Sequence, residues 1–77
     1  MKGKFVSGNA IENFLKSLLY EGNLMSYDSR IERLSAIWKL GLISCDEARH
    51  YYKSISIKFG VPESYADMLS SKIIKEV

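Results

Sequence analysis

Length, composition and charge narrow the function classes before any motif is considered. The 77 residues are 47% hydrophobic and 26% charged, which is typical of one folded domain spanning 1–77 and excludes a disordered tail. The formal net charge of +2 is too small to indicate a nucleic-acid or membrane partner by itself. With one cysteine and no apolar stretch of about 20 residues, the chain is expected to be a cytoplasmic protein without disulfides.

The chain is predicted to start with a short basic arm, residues 1–8, before a first helix over residues 10–21. Gly22 and Asn23 are expected to end this helix. The helix presents one apolar stripe, formed by Ile11, Phe14, Leu15, Leu18 and Leu19. The link at 24–28 is the longest one, and two of its side chains are expected to pack back onto the bundle, Met25 and Tyr27.

The second helix is predicted over residues 29–40. Ser29 and Glu32 have the spacing of a capping box, in which a hydroxyl and a carboxylate each accept a hydrogen bond from a backbone amide of the first turn. Gly41 can take the left-handed conformation that ends a helix, after which Leu42 is expected to fold back onto Ile37. The apolar stripe consists of Ile31, Leu34, Ile37 and Trp38.

Two further helices are predicted over residues 45–59 and 63–76. Ser44 and Glu47 form a second capping box at the start of the third helix, and Gly60 ends it. The stripe of the third helix consists of Ala48, Tyr51, Tyr52, Ile55 and Phe59. The stripe of the fourth consists of Ala66, Leu69 and Ile73, with Tyr65 and Met68 alongside. The fold class is therefore predicted to be all-α, a small bundle of four short helices.

Residues 31–53 resemble the SHOCT family of short bacterial helical hairpins. The resemblance rests on an apolar ladder, a turn and the start of a second helix: Leu34, Ile37 and Leu40, then Gly41, Leu42, Ile43 and Ser44, then Asp46, Glu47 and Ala48. It implies contact with another protein or self-association. A homo-oligomer is one form that this contact would take.

Residues 52–71 resemble the helix-turn-helix motif of DNA-binding proteins. The positions that match are Ile55, Ser56, Phe59, Gly60, Val61, Ala66 and Leu69. In this alternative, the phosphate-contacting candidates are Arg49, Lys53, Lys58, Lys72 and Lys75, and the candidates near base edges are Ser64, Asp67 and Met68. Glu63 and Asp67 oppose a polyanion on the same face, so the motif indicates the turn more strongly than it indicates DNA.

The aromatic side chains are the candidates for protein contact, because Tyr and Trp are enriched in interfaces. They are Tyr27, Trp38, Tyr51, Tyr52 and Tyr65. Two placements stay open: Trp38 is favoured as a core residue over a contact residue, and the cations around Tyr51 and Tyr52 are favoured as a solvated face over a base-stacking surface. Arg30 and Arg33 are expected to form exposed ion pairs with the neighbouring acids Asp28 and Glu32.

No arrangement of residues typical of catalysis or metal binding is found in the sequence. His50 has no cysteine or carboxylate partners at ligand spacing, and no nucleophile has a base at a recognisable spacing. We therefore expect no enzyme activity, cofactor, metal or small-molecule substrate. The preferred hypothesis is a regulatory protein that binds another protein or itself, as an adaptor or as an inhibitor of a larger complex. A mobile element is one possible source of such a regulatory protein. The alternative is a helix-turn-helix transcription regulator.

Overall fold

The computed structural model describes residues 8–75, and within that range the chain folds into helices without a strand. They are α1 (Gly8–Ser17), α2 (Tyr27–Lys39), α3 (Cys45–Lys58) and α4 (Glu63–Ile73). The prediction of an all-α fold with four short helices is thus confirmed. The predicted arm at 1–8 lies almost entirely outside the described residues, and so does the predicted end of the last helix at Glu76.

α3 is the central helix, since α2 and α4 both pack against it. The main core is one cluster of buried side chains from α1, α2 and α3, from the connections that follow α1 and α2, and from the residue after α4: Leu15, Leu18, Leu34, Ile43, Ala48, Tyr52, Ile55 and Ile74. Trp38, Tyr51 and Tyr27 are only partly buried and pack against that cluster. No helix in the described part of the chain is both long and apolar enough to cross a membrane.

Two glycines end helices in the way that the sequence predicts. Gly41 has φ 79° and Gly60 has φ 91°, both in the left-handed region. After each glycine the next amide donates to a carbonyl near the end of the helix, at 3.2 Å for Leu42 N to Ile37 O and 3.0 Å for Val61 N to Ser56 O. The backbone of Leu42 thus folds back onto Ile37 as predicted, while the residue remains 48% exposed.

Of the two predicted capping boxes, the one at α3 is confirmed and the one at α2 is wrong. At α3, the Ser44 hydroxyl accepts from Glu47 N and a Glu47 carboxylate oxygen accepts from Ser44 N, each at 3.1 Å. At α2, the cap is Ser26 and not Ser29, because the Ser26 hydroxyl accepts from Ser29 N at 3.1 Å. α2 consequently begins two residues earlier than predicted, at Tyr27.

α1 ends four residues before the predicted boundary at residue 21. From Leu18 onward the amides bond three residues back, as in Leu18 N to Leu15 O at 3.1 Å, which tightens the last turn. The Asn23 side-chain amide then donates to Ser17 O at 2.8 Å and satisfies the end of the helix. Asn23 therefore caps α1 with its side chain. The apolar stripe did not indicate that the chain becomes irregular after Ser17.

Two predicted stripe residues are exposed. Phe59 is 44% exposed at the end of α3, and Ile73 is 45% exposed at the end of α4. The residue that fills the core beyond α4 is Ile74, which is fully buried. The chain leaves the helix at Ile74 with φ −106° and ψ 99°, and this change of direction turns its side chain inward.

Arg30 is the largest departure from the sequence prediction, because it is buried instead of forming an exposed ion pair. Its side chain is only 4% exposed. The guanidinium donates three hydrogen bonds to backbone carbonyls of the α1 to α2 connection, to Leu18 O at 2.8 Å, Asn23 O at 2.6 Å and Met25 O at 3.0 Å. It also lies 4.7 Å from the centre of the Phe59 ring. A single side chain of α2 therefore holds the irregular connection in place.

Candidate interaction surface

Tyr52 was a predicted contact residue, and the structure corrects this prediction because its side chain is 4% exposed. Burial raises the pKa of Tyr52 to about 12, with a hydrogen-bonding interaction with Tyr27 and repulsion from Tyr27 and Tyr65 adding to the effect. Tyr52 therefore belongs to the core. It is close enough to Tyr27 and Tyr65 for their phenolate forms to oppose its deprotonation.

Tyr27 lies between the core and the surface. Its hydroxyl is 2.7 Å from the hydroxyl of the buried Ser56, and its ring is 5.5 Å from the ring of Phe59 at an angle of 50°. We define the aromatic cluster as Tyr27, Tyr52, Phe59 and Tyr65, which come from α2, α3, the turn after α3, and α4. Phe59 and Tyr65 are its exposed members, at 44% and 51%.

Trp38 and Tyr51 are partly buried and pack against the core. For Trp38 this agrees with the favoured prediction of a core position. The Trp38 indole N–H donates to Cys45 Sγ at 3.3 Å, which ties the end of α2 to the start of α3. The Tyr51 ring meets the edge of His50, with centres 5.2 Å apart and an interplanar angle of 80°. These two side chains contribute packing first and offer only part of their surface to a partner.

Three exposed side chains of α4 follow one another along the helix. Tyr65 and Met68 are each 51% exposed and lie one turn apart, and the exposed Lys72 lies one turn further on. At 100° per residue these positions fall within an arc of about 60° on the helix surface. We call this set the outer strip. It joins a predicted protein-contact residue with two residues that were predicted for nucleic acid.

The acidic residues of α4 lie on a different side from the outer strip. Asp67 faces α3, where its carboxylate is 3.6 Å from Lys53 Nζ. Glu63 is one turn before Asp67 and therefore lies on the same side of the helix. Ser64 is exposed on α4, and Lys75 is exposed just beyond the helix end.

The basic candidates on α3 are engaged within the chain. Arg49 donates to Ile74 O at 2.7 Å and lies 3.5 Å from Asp46. Lys58 Nζ is 3.7 Å from a carboxylate oxygen of Glu21, and Lys53 is paired with Asp67. Because these pairs are partly exposed they contribute little stability, but they reduce the positive charge that the face offers to phosphate.

An open depression of about 200 Å³ lies between α3 and α4. It is lined by cations and carboxylates together: Asp46, Arg49, His50, Lys53, Asp67, Ser70 and Ser71. The charges of both signs largely neutralise each other, so the depression does not have the single-sign field that attracts a charged ligand. Among residues 8–75, no group of three or more His, Cys, Asp or Glu side chains is placed to hold a metal ion.

Other exposed apolar side chains lie at the connections between helices. Leu40 is 74% exposed and Leu42 is 48% exposed, one on each side of Gly41. In the α1 to α2 connection, Tyr20 is 68% exposed and Leu24 is 97% exposed. These four side chains are not among the contact residues predicted from the sequence. The exposure of Leu40 could have been predicted from helical periodicity, because it lies about 120° away from the centre of the α2 stripe.

Comparisons of the chain with family models, with characterised proteins and with solved structures found no match.

Proposed function

We propose that this chain is a non-enzymatic regulatory protein that acts by binding another protein, as an adaptor or as an inhibitor of a larger complex. The observation that carries the proposal is the outer strip, in which Tyr65 and Met68 are each half exposed on a regular helix. Exposed Tyr and Met one turn apart are typical of binding surfaces, because both side chains contribute large contact area. The strip also adjoins the aromatic cluster, because Tyr65 belongs to both.

The supporting framework is rigid, which favours binding. Tyr65 and Met68 are on α4, which packs against α3 and buries Ala66 and Ser70. Because the backbone of a packed helix is already ordered, binding costs only the side-chain freedom of these two residues, and more of their contact energy contributes to affinity.

Co-purification from an extract of the source cells tests the proposal. The wild-type chain should retain a stoichiometric protein partner after nuclease treatment, and the double variant Tyr65→Ala/Met68→Ala should lose it. The matched control is Tyr20→Ala/Ile57→Ala, which removes two exposed apolar side chains elsewhere. Partner recovery that is equal in the wild type and in both variants would contradict the role of the strip.

The second candidate function is DNA binding through a helix-turn-helix, supported by the four-residue turn from Phe59 to Pro62 with Gly60 in the left-handed conformation. The ion pairs of Arg49, Lys53 and Lys58 weigh against it. Duplex binding whose affinity falls steeply with added salt, and which Lys72→Ala weakens, would favour this function over protein binding.

A further inference from the structure

We propose that the outer strip binds an acidic amphipathic helix of the partner protein. This inference rests on the proposed function and specifies the chemistry of its partner. Along the strip, Tyr65 and Met68 form the apolar part and Lys72 forms the cationic end, and the exposed Lys75 follows just beyond the helix. The complementary ligand is a helix that offers apolar side chains to the apolar part and carboxylates to the cationic end.

Spacing supports a helix as the occupant. Tyr65, Met68 and Lys72 are separated by three and then four residues, which is the repeat along which two helices pack side by side. The 11 residues of α4 give a contact line of about 16 Å, enough for two to three turns of a partner helix. So short a contact buries less than the roughly 800 Å² per partner of a standard interface, so micromolar affinity is expected.

The charges near the outer strip favour an acidic helix over two other occupants, a second copy of the chain and a nucleic acid. A second copy of the chain packed strip against strip would bring no carboxylate to the lysines, because the outer strip contains none and Asp67 is paired with Lys53 on the α3 side. A nucleic acid would need more cations than Lys72 and Lys75 to hold its phosphates. The cations of α3 are less available for this, because each is in an ion pair with a carboxylate: Arg49 with Asp46, Lys53 with Asp67 and Lys58 with Glu21. Carboxylates of a protein partner need only the two exposed lysines.

The test selects ligands from a displayed library of helical peptides that share one apolar seam and have randomised flanking positions. The wild-type protein should enrich peptides rich in Asp and Glu, with affinities that fall with added salt. Binding of the enriched peptide, measured by fluorescence anisotropy, should weaken about tenfold or more in Tyr65→Ala and in Lys72→Glu/Lys75→Glu. Circular dichroism of each variant confirms that these exposed substitutions leave the fold intact.

The charge-matched control is Lys16→Glu/Lys39→Glu, which makes the same change in net charge on α1 and α2, and its affinity should stay within about twofold of wild type. Enriched peptides that are neutral or basic, or whose binding the strip variants leave unchanged, would overturn the inference. If binding depends instead on Leu40 and Leu42, the inference fails while protein binding as a function stands. If no peptide is enriched and a short DNA duplex binds through Lys72 and Lys75, the inference and the proposed function both fail.

Discussion

The substitution Arg30→Met tests how the irregular half of the fold is held together. Methionine has similar length and no donor, so the variant removes three hydrogen bonds from a side chain that is 4% exposed. Leu18 O is the buried acceptor, and leaving it without a donor costs about 1 to 3 kcal/mol. Loss of the contact with the Phe59 ring costs about 0.5 to 2 kcal/mol more.

The other two acceptors, Asn23 O and Met25 O, are only partly buried and can bond to water once the connection loosens. We therefore expect a loss of about 3 kcal/mol in the free energy of unfolding, measured by urea denaturation with far-ultraviolet circular dichroism. A domain of this size has about 3 to 5 kcal/mol in total from its core, so the variant should be close to unfolding at room temperature.

Amide hydrogen exchange locates the effect. Protection should fall first in α1 and in the connection to α2, because Arg30 bonds the carbonyls of that segment, and later in α3 and α4. Arg33→Met is the matched control, since Arg33 is exposed on the same helix, and its cost should stay below about 0.5 kcal/mol. If Arg30→Met were no more destabilising than Arg33→Met, the assignment of Arg30 as the residue that fixes the connection would be refuted.

Three further substitutions test individual features of the fold. Burial raises the pKa of Tyr52 from 10.0 to about 12, so the folded state retains a proton that the unfolded state loses. As the pH rises from about 10 to about 12, the free energy of unfolding should therefore fall by up to about 3 kcal/mol more than in Tyr52→Phe, measured in urea titrations at a series of pH values. An equal alkaline loss in both proteins would contradict the burial of this phenol. Gly60→Ala should cost about 1 to 2 kcal/mol because φ is 91° there although a methyl group would meet no atom within 4 Å, and an unchanged thermal midpoint would argue against the left-handed turn. Ser44→Ala should cost about 1 kcal/mol through loss of the α3 cap, whereas Ser64→Ala on the exposed face of α4 should change the midpoint little; equal effects would show that the cap is not made in solution.

Local signals in the sequence predicted the centre of the fold correctly. The capping box at Ser44 and the glycines at 41 and 60 involve neighbouring residues only, so their chemistry can be recognised without knowledge of the tertiary structure. The turn between α3 and α4 was predictable for the same reason. Ser26 and Ser29 lie three residues apart, and choosing the true cap between them required the position of the preceding connection, which is a tertiary property.

The buried arginine could be anticipated from its position but not from its residue type. Arg30 lies four residues before Leu34 and seven before Ile37, which places it within the α2 stripe. The neighbouring acids Asp28 and Glu32 nevertheless favour an exposed ion pair for an arginine in that position. The carbonyls that accept its hydrogen bonds belong to an irregular connection without a repeating pattern, so no periodicity in the sequence indicates them.

The candidate site was only partly predictable. Tyr65 and Met68 were placed beside the stripe of the last helix, and both are half exposed. Helical periodicity alone places Tyr65 and Lys72 on one side of α4 and Asp67 on another, but which side faces α3 depends on how α4 is rotated against α3. That rotation is set by the burial of Ala66, Ser70 and Ile74, and the last two of these were not in the predicted stripe.

Photo-crosslinking in the source cells tests the central claim most directly. A photoreactive phenylalanine analogue replaces Met68 on the outer strip, or Ile57 on α3 as the control, since both native side chains are similarly exposed at 51% and 44%. The account predicts a discrete protein adduct from position 68 that is absent from position 57 and resistant to nuclease. Adducts of equal yield from both positions, or an adduct at position 68 that nuclease removes, would contradict it.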